Sequence, residues 1–363
     1  MTSYKVESLY VHIPFCEHLC DYCDFTKLQY FHSFAEAYLP ALKNELDSFR
    51  INHELKTIYV GGGTPTSLED NLFEVLLSII DKYSKRVKEY TFECNPESLS
   101  ESKLLLMKKH GVNRLSIGVE STNDDILKAI NRHHTFEDVK TAVKKAKECG
   151  FNNINIDLIL GLPNVTKDLL VKDIENVLNL DVQHISCYSL TVHENTVFGI
   201  KHIEEPTDDL SRELYDTTNE ILESKGFEHY EISNWSKPGY ESKHNLTYWK
   251  DKQYYGAGLG ASGFVGKIRY TNTKSISEYI KFKNVREEEI VSREEDEEYF
   301  IMLNLRTKYG INFAEFKDRF GIDFLDKYSV PLQKLLSSGL LVKTNDAIIP
   351  TYNGMMILDQ IVL

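Results

Sequence analysis

Three cysteines lie close together near the start of the chain, Cys16, Cys20 and Cys23, within the segment YVHIPFCEHLCDYCDF. The spacing C-x3-C-x2-C provides three thiolates, one fewer than the four irons of a [4Fe-4S] cubane require. The fourth iron of such a cluster would be free to hold a small molecule. The sequence therefore predicts a reactive iron–sulfur site here.

Two other interpretations of these cysteines stay open. A zinc site could use the three thiolates and His18, although zinc sites usually contain paired C-x2-C units and this segment has one. The thiols could also be incidental. The remaining cysteines, Cys94, Cys149 and Cys187, stand alone, which favours a reducing compartment over a disulfide framework.

A glycine-rich segment, GGGTPTSL at 61–68, follows the apolar run TIYV. Glycines let a ligand approach the backbone closely and expose amide donors, and a simple tight turn is the alternative. The dinucleotide fingerprint and the phosphate loop are both absent. Further polar groups, Glu93, Glu120 and Asp157, end other apolar runs, and Arg132 follows a predicted helix. Each alone could form a structural salt bridge, but together they predict a bound polar molecule.

Strand and helix patterns alternate up to about residue 230. The predicted strands are 8–13, 57–62, 90–95, 114–120, 153–160 and 184–192, and the predicted helices lie near 32–50, 68–84, 100–110, 123–130, 135–149, 166–179 and 208–225. Six such units are too few for an eight-fold barrel. We therefore expect an α/β fold, an open six-unit (β/α)6 partial TIM-type barrel. The cysteine loop and the GGG turn should share the carboxyl ends of its strands.

The pattern changes after this barrel. Residues 231–290 are rich in glycine and aromatics and predict loops with short strands around the hexapeptide HNLTYW. Residues 291–363 predict a small, mostly helical, winged-helix-like domain with a hairpin at 340–351. The acidic run 286–300 should open that domain as a solvated helix face. The predicted domains are thus 1–230, 231–290 and 291–363.

Composition excludes several classes of protein. The formal charge of −13 argues against a general affinity for nucleic acid. No apolar run has the length of a membrane span, and residues 1–13 lack the features of a signal peptide. With 42% apolar and 27% charged residues, we expect an ordinary soluble protein of the cytoplasm.

These segments together resemble the radical S-adenosylmethionine (radical SAM) superfamily. YVHIPFCEHLCDYCDF, GGGTPT, NRLSIGVES and NIDLILGLP are closer still to the oxygen-independent coproporphyrinogen III oxidase-like group. The resemblance implies a [4Fe-4S] cluster on the three cysteines whose fourth iron is chelated by SAM. Reduction of that cluster would cleave SAM to a 5′-deoxyadenosyl radical.

The same resemblance implies roles for individual residues around SAM. These residues are Tyr10 and the Tyr22 backbone beside SAM, Gly62, Gly63 and Thr64 at its methionine end, and Glu93, Arg132 and Asp157 as polar contacts. Glu120 stands where this group usually has glutamine. An ionised glutamate cannot donate an amide hydrogen bond, so the resemblance does not fix the role of Glu120.

Within this group, the chain resembles the HemW haem chaperones more than the oxidases. The oxidases typically read C-x3-C-x2-C-x-C after a longer N-terminal segment, whereas here Phe25 takes the place of the extra cysteine and fifteen residues precede Cys16. HNLTYW resembles the HNxxYW signature of the chaperones. It implies haem as cargo, His244 as a candidate iron ligand and apo-haemoproteins, membrane-associated ones among them, as acceptors. A packing histidine beside Tyr248 and Trp249 is the alternative.

Two other functions stay open. A coproporphyrinogen III oxidase (dehydrogenase) of porphyrin biosynthesis would use the same barrel and the same three cysteines. A zinc-stabilised binding module would need neither iron nor sulfide.

Overall fold

A computed structural model describes residues 5–282 and 285–361. Six parallel strands run through the first part of the chain: β1 (Ser8–Ile13), β2 (Thr57–Gly62), β3 (Glu89–Cys94), β4 (Arg114–Glu120), β5 (Ile154–Leu160) and β6 (His184–Ser189). Each strand pairs with the next one in chain order. Their side chains are buried at nearly every position, as expected for parallel strands covered on both faces.

Helices connect these strands: His32–Ser48, Asp70–Ile80, Glu101–Lys109, Asp124–Ala129, Phe136–Glu148, Lys167–Leu178, Val197–Ile200 and Asp208–Ser224, the last two following β6. Right-handed crossovers between strands in sequential order place all helices on one face of the sheet. A mainly parallel sheet in this order, open at both edges, is the arrangement of a partial barrel. The predicted open six-unit barrel is therefore confirmed.

Local capping sets where several of these helices begin and end. Ser100 accepts a hydrogen bond from the amide of Lys103 at 3.3 Å, and Thr135 forms a capping box with Asp138. Gly111 and Gly150 follow their helices with φ of +86° and +85°, a conformation that a side chain would strain. The helix ends predicted at Ser100 and at both glycines are confirmed.

Later segments of the chain extend the sheet at both edges. Tyr255–Ala257 adds in parallel to β1, and Asn234–Ser236 adds antiparallel to β6 and then pairs with Glu228–Glu231. The sheet thus has nine strands and stays open. Short strands Phe15–Cys16 and Leu28–Gln29 close the base of the cysteine loop.

A separate antiparallel sheet contains Ser262–Val265, Ile268–Asn272 and Arg286–Ile290. The acidic run was predicted to be one solvated helix face, and that prediction is wrong for its first half. Residues 286–290 are a strand paired with 268–272, and the helix begins at Arg293 after the Ser292 cap. Backbone pairing with an existing strand outweighs the weak strand propensity of consecutive glutamates.

The hexapeptide HNLTYW is helical, within Lys243–Trp249, although loops were predicted there. Ser242 caps this helix by accepting from the amide of Asn245 at 3.3 Å. The buried carboxylate of Glu89 accepts from the amides of Lys243 and His244 at 2.9 and 2.8 Å. Because Glu89 is distant in sequence, periodicity alone could not reveal this second cap.

The C-terminal part has its own apolar core. Its helices are Arg293–Asn304, Phe313–Phe320 and Phe324–Ser337, its antiparallel strands are Ile311–Asn312, Leu341–Lys343 and Ala347–Pro350, and Tyr352–Met356 closes it. The predicted hairpin at 340–351 is present. The apolar core of this part is a separate cluster from the apolar core of the barrel. Short helices Ile276–Tyr279, Pro65–Ser67, Pro96–Ser98 and Leu358–Gln360 complete the elements. The domain boundaries at 230 and 290 stay a prediction.

We searched the described helices for one with the length and apolarity of a bilayer span. None of them qualifies.

Candidate functional site

A cavity of about 330 Å³ opens at the carboxyl ends of β1 to β6. All the predicted site residues line it except Tyr10 and His244: Cys16, Cys20, Tyr22, Cys23, Gly62, Gly63, Thr64, Glu93, Glu120, Arg132 and Asp157. Residues from five strands and the cysteine loop thus meet at one place, as the parallel arrangement predicts.

Backbone hydrogen bonds hold both ends of the cysteine loop in place. Cys16 accepts a hydrogen bond from the amide of Tyr30 at 2.8 Å, and the amide of Cys23 donates to the carbonyl of Cys20 at 3.4 Å. The sulfur of Cys16 accepts from the Thr64 hydroxyl at 3.6 Å, and the sulfur of Cys20 accepts from Arg132 Nη1 at 3.7 Å. Hydrogen-bond donors therefore already face two of the three sulfurs.

Burial raises the pKa of the Cys16 thiol to about 12 and also raises that of Cys23. Without a cation the thiols stay protonated, so iron must displace their protons, as metal binding to cysteine generally does. Three soft sulfur donors on one short loop are the donor set of an iron–sulfur cluster. In chemical type these residues fit the predicted cluster.

His18 does not join the cysteines at one point. Its ring stacks on His133 with 3.7 Å between centroids. Within residues 5–282 and 285–361, no three His, Cys, Asp or Glu side chains converge closely enough to hold a single metal ion.

The GGG turn lies directly against this loop. The amides of Gly63 and Thr64 donate to the carbonyls of Ile13 and Phe15 at 2.8 and 2.7 Å. A Cβ on Gly63 would lie 2.8 Å from the Phe15 carbonyl oxygen and 3.0 Å from the Cys16 sulfur. Only a glycine permits this close approach between the turn and the cluster loop.

Glu93 supports the same turn from inside the barrel. Its carboxylate accepts from the amide of Gly62 at 2.8 Å and from the hydroxyl of Tyr59 at 2.7 Å. Burial raises its pKa to about 7. Near neutral pH, Glu93 is thus present in both protonation states.

Two more buried carboxyls line the cavity. Burial raises the pKa of Glu120 to about 7, opposed by the nearby Arg132. Burial also raises the pKa of Asp157, whose oxygens accept from Asn155 at 2.8 Å and Ser116 at 3.1 Å. Glu120 can therefore donate or accept a hydrogen bond near pH 7, which suits a polar ligand.

Arg132 has unused hydrogen-bonding capacity at this cavity. Its Nη2 donates to Asn95 Oδ1 at 3.3 Å and to the Gly118 carbonyl. Its Nε is buried and has no acceptor among the described residues. A buried donor without an acceptor costs about 1–3 kcal/mol. A ligand with a carboxylate or ribose oxygen would remove that cost, so this residue fits the predicted SAM site.

Sequence reasoning missed other cavity residues, notably Tyr59, Asn95, Ser116 and Tyr188. Asn95 links the site, since its amide donates to Thr64 Oγ1 at 3.3 Å while its oxygen accepts from Arg132. The sequence did contain a signal for Asn95. Side chains two residues apart on a strand point to the same face, and Glu93 and Asn95 are two residues apart near the end of β3.

Tyr10 and His244 lie away from this cavity. Tyr10 lines a neighbouring groove, and its hydroxyl contacts His12 Nδ1 at 2.9 Å. His244 is fully buried at the opposite end of the strands, where it contacts Thr57 and Glu89, the first residues of β2 and β3. Burial lowers its pKa to about 3, so the imidazole is neutral. The predicted roles of Tyr10 beside SAM and of His244 as an iron ligand stay predictions.

Comparisons with known proteins show the family of this chain. The model of the radical SAM superfamily matches residues 10–177, and the HemN C-terminal domain model matches residues 291–357. The chain is 38% identical to heme chaperone HemW of Bacillus subtilis over 98% of both chains. It is 38% identical to heme chaperone HemW of Lactococcus lactis over 96% of this chain and 94% of that one. Identity to heme chaperone HemW of Escherichia coli is 32%, over 98% and 96%.

The chain belongs to the HemW family. Membership in the radical SAM superfamily, predicted from the cysteine loop and the GGG turn, is thereby confirmed. Among solved structures, the radical SAM enzyme coproporphyrinogen III oxidase (HemN) of Escherichia coli superposes with a TM-score of 0.85. That match covers 99% of this chain and 89% of the other at 22% identity, so it bears on the fold alone.

Proposed function

We propose that this chain is a haem chaperone of the cytoplasm that carries a [4Fe-4S] cluster, binds SAM, and delivers haem to apo-haemoproteins. The observation that carries the proposal is the meeting of three cysteines, a glycine turn and Arg132 at one cavity, in a chain whose curated relatives are named heme chaperones.

Cys16, Cys20 and Cys23 would hold three irons of the cluster. When bound and reduced, that cluster supplies the electron that cleaves the sulfonium of SAM. The chain's own residues do the positioning. Gly62 and Gly63 let the turn lie directly against His12 and the cysteine loop, and the free Nε–H of Arg132 offers one charge-assisted hydrogen bond.

Substitution of one cysteine tests the cluster. Cys16→Ser leaves two thiolates, so we expect anaerobically reconstituted protein to lose a stable four-iron cluster and its broad absorbance near 400 nm, on the order of a fourfold or larger fall in bound iron. Cys149→Ser is the matched control, because Cys149 lies outside the cavity and should leave iron and acid-labile sulfide unchanged. Full iron content in Cys16→Ser would contradict the ligand assignment.

Haem delivery has a direct test. We expect the reconstituted wild-type chain to shift the Soret band of added haemin and to pass the haemin to apomyoglobin. A chain that neither shifts the band nor transfers the haem would refute the chaperone proposal.

The same reconstituted protein tests the alternative function, that of a coproporphyrinogen III oxidase. Phe25, at the position of the fourth oxidase cysteine, is 65% exposed at the cavity mouth and provides no ligand. With SAM and a reductant, we therefore expect no protoporphyrinogen from coproporphyrinogen III. Product formation at enzymatic rates would favour the oxidase instead.

A further inference from the structure

A cavity of about 930 Å³ lies at the amino ends of the strands, opposite the cysteine cavity. Ser8 and Thr57, the first residues of β1 and β2, line it on the barrel side. The helices Arg293–Asn304 and Phe313–Phe320 border it on the side of the C-terminal part. Its volume lies in the ordinary range of ligand sites, about 300–1,000 Å³, and such sites favour the junction of two cores. We call it the lysine cavity.

The lysine cavity is basic although the protein is acidic. Nine of its lining residues are Lys or Arg and five are Asp or Glu, whereas the whole chain contains 42 basic and 55 acidic residues. Several of the lysines that line it form no ion pair among the described residues: Lys88, Lys243, Lys250, Lys252 and Lys267. Ammonium groups gathered without counter-ions repel one another, so an anion in the cavity would lower the electrostatic energy.

Carboxylates also line the cavity, but most of them already have cations. Asp251 accepts from Arg269 at 2.6 Å and from Arg319 at 2.7 Å. Arg319 also pairs with Asp296, and Glu7 lies within ion-pair distance of two lysines. Two exposed carboxylates remain, both on a helix of the C-terminal part: Glu315 and Asp318. None of the unpaired lysines belongs to that part, so the free positive charge comes from the other side of the cavity.

One face of the hexapeptide helix Lys243–Trp249 lines this cavity. The residues of that face, and the residue that follows the helix, have the spacing i, i+3, i+4 and i+7: Lys243, Leu246, Thr247 and Lys250. At 1.5 Å per residue, Lys243 and Lys250 are about 10 Å apart along the helix axis, with Leu246 between them. His244, on another face, contacts Thr57 inside the barrel. The helix thus presents two cations on either side of an apolar side chain.

Other apolar side chains complete the walls of the cavity. They come from the small antiparallel sheet and from the segments that follow it: Phe264, Val291, Phe300 and Phe320. A ligand that suits both features of the cavity has an apolar body with carboxylates on one edge. Haem has this chemistry, because two propionates leave the same edge of its planar, apolar ring.

We propose that haem binds in the lysine cavity, with its propionates on Lys243 and Lys250 and its ring against Leu246. This inference rests on the proposed haem-chaperone function and names the site of the cargo. Contacts between ammonium and propionate are charge-assisted hydrogen bonds. No described residue that lines the cavity is a histidine, cysteine, methionine or tyrosine. Recognition therefore depends on the ring and the propionates, and not on a bond to iron.

The cysteine cavity is the rival site for haem. Its volume is about 330 Å³, and the buried carboxyls of Glu93, Glu120 and Asp157 line it. When ionised, these groups repel the propionates of haem. The two cavities also lie at opposite ends of the strands, so SAM and haem should bind to one molecule at the same time.

The test titrates haemin into the full, reconstituted chain and follows the Soret band. The double substitution Lys243→Glu, Lys250→Glu should weaken haemin binding about tenfold or more, equivalent to about 1.4 kcal/mol, because two attractions become repulsions. The matched control is Lys128→Glu, Lys225→Glu, at two exposed positions outside the cavity. It changes the net charge by the same amount and should bind haemin like wild type. Thermal unfolding of each variant shows whether it is folded.

Changes in the ligand test the same contacts on the wild-type protein. Haemin dimethyl ester, whose propionates are blocked, should bind wild type about tenfold more weakly than haemin. The double substitution should weaken the binding of this ester no further. Iron-free protoporphyrin IX should bind wild type within about threefold of haemin, and a larger preference for haemin would contradict recognition without an iron ligand.

Hydrogen exchange locates the bound haemin without any substitution. In wild type, haemin should slow amide exchange in the helices Lys243–Trp249 and Phe313–Phe320, which border the lysine cavity. This measurement decides the site if the doubly substituted chain does not fold. Unchanged exchange in both helices would overturn the proposal.

Four outcomes of these titrations are decisive. Wild type that binds no haemin refutes the proposed function itself. Haemin bound equally well by wild type and by Lys243→Glu, Lys250→Glu refutes only the inference. Equal losses in this variant and in its control would show a general effect of net charge and also overturn it. Competition between SAM and haemin would place haem in the cysteine cavity instead.

Discussion

At the residue scale, Glu120 combines two costs. Its φ of +67° is a conformation that non-glycine residues rarely adopt, and the pairing of β4 with β5 shifts register just before it. Its carboxyl is also buried beside Glu93 and Asp157. Backbone strain and a buried carboxyl at a cavity wall are typical of a functional position, where contacts with a ligand offset both costs.

Glu120→Gln should stabilise the ligand-free chain at high pH. The native pKa is about 7 against an ordinary 4.5, so between these pH values the native state binds more protons than the unfolded state. The stability that the protonated carboxyl gives is complete below pH 4.5 and is lost as pH rises through 7. At pH 8 we expect the variant to gain on the order of 1–3 kcal/mol, and at pH 4.5 almost nothing.

Thermal and urea unfolding across this pH range would measure the effect. Glu220→Gln, at an exposed position on the helix Asp208–Ser224, should leave the pH profile unchanged. Equal effects of Glu120→Gln at pH 4.5 and pH 8 would show that the carboxyl does not titrate as argued.

At the scale of elements, the GGG turn shows why a position in a turn can require glycine. Gly62 has a φ of +114°, and a Cβ there would lie 2.5 Å from the ring of His12. Gly111 has a similar φ of +86°, but a Cβ on it would meet nothing within 4 Å. A side chain at either position would strain the backbone. Only at Gly62 would it also clash with neighbouring atoms.

Gly62→Ala and Gly111→Ala separate these effects. Gly111→Ala should cost about 1 kcal/mol of unfolding free energy from strain alone and leave SAM binding intact. Gly62→Ala should cost more than 2 kcal/mol and weaken SAM binding, since His12 and the turn must move. Urea unfolding and calorimetric SAM titration give both values. Equal losses in the two variants would contradict the crowding argument.

At the scale of the whole molecule, an ion pair joins the C-terminal core to the barrel. Arg306 Nη2 donates to the fully buried carboxylate of Glu231 at 2.8 Å. The guanidinium also stacks over Trp249 at 4.4 Å, on the helix that carries His244 and Tyr248. The C-terminal part thus contacts the helix that carries the HNLTYW hexapeptide.

Removing this cation should loosen the attachment. Arg306→Met leaves a buried carboxylate unpaired, so we expect a loss of about 3 kcal/mol of unfolding free energy. Faster proteolytic cleavage between the two cores should accompany it. Arg86→Met breaks the exposed pair with Glu54 and should cost less than about 0.5 kcal/mol. An Arg306→Met variant as stable as wild type would exclude this role.

Much of the molecule followed from local patterns in the sequence. The six strands, the main helices, the caps at Ser100 and Gly150 and the cysteine loop depend on residues close in sequence, which periodicity and spacing reveal. The meeting of the cysteines with Gly62 and Arg132 followed as well, because carboxyl ends of parallel strands share one edge.

Contacts between distant residues could not be predicted in this way. The helix around His244 depends on Glu89, and the ring of that histidine contacts Thr57. Sequence alone therefore determined the barrel, its cysteine loop and the family. Only the tertiary structure decided that His244 is fully buried, because its surroundings, Thr57 and Glu89 among them, come from distant parts of the chain.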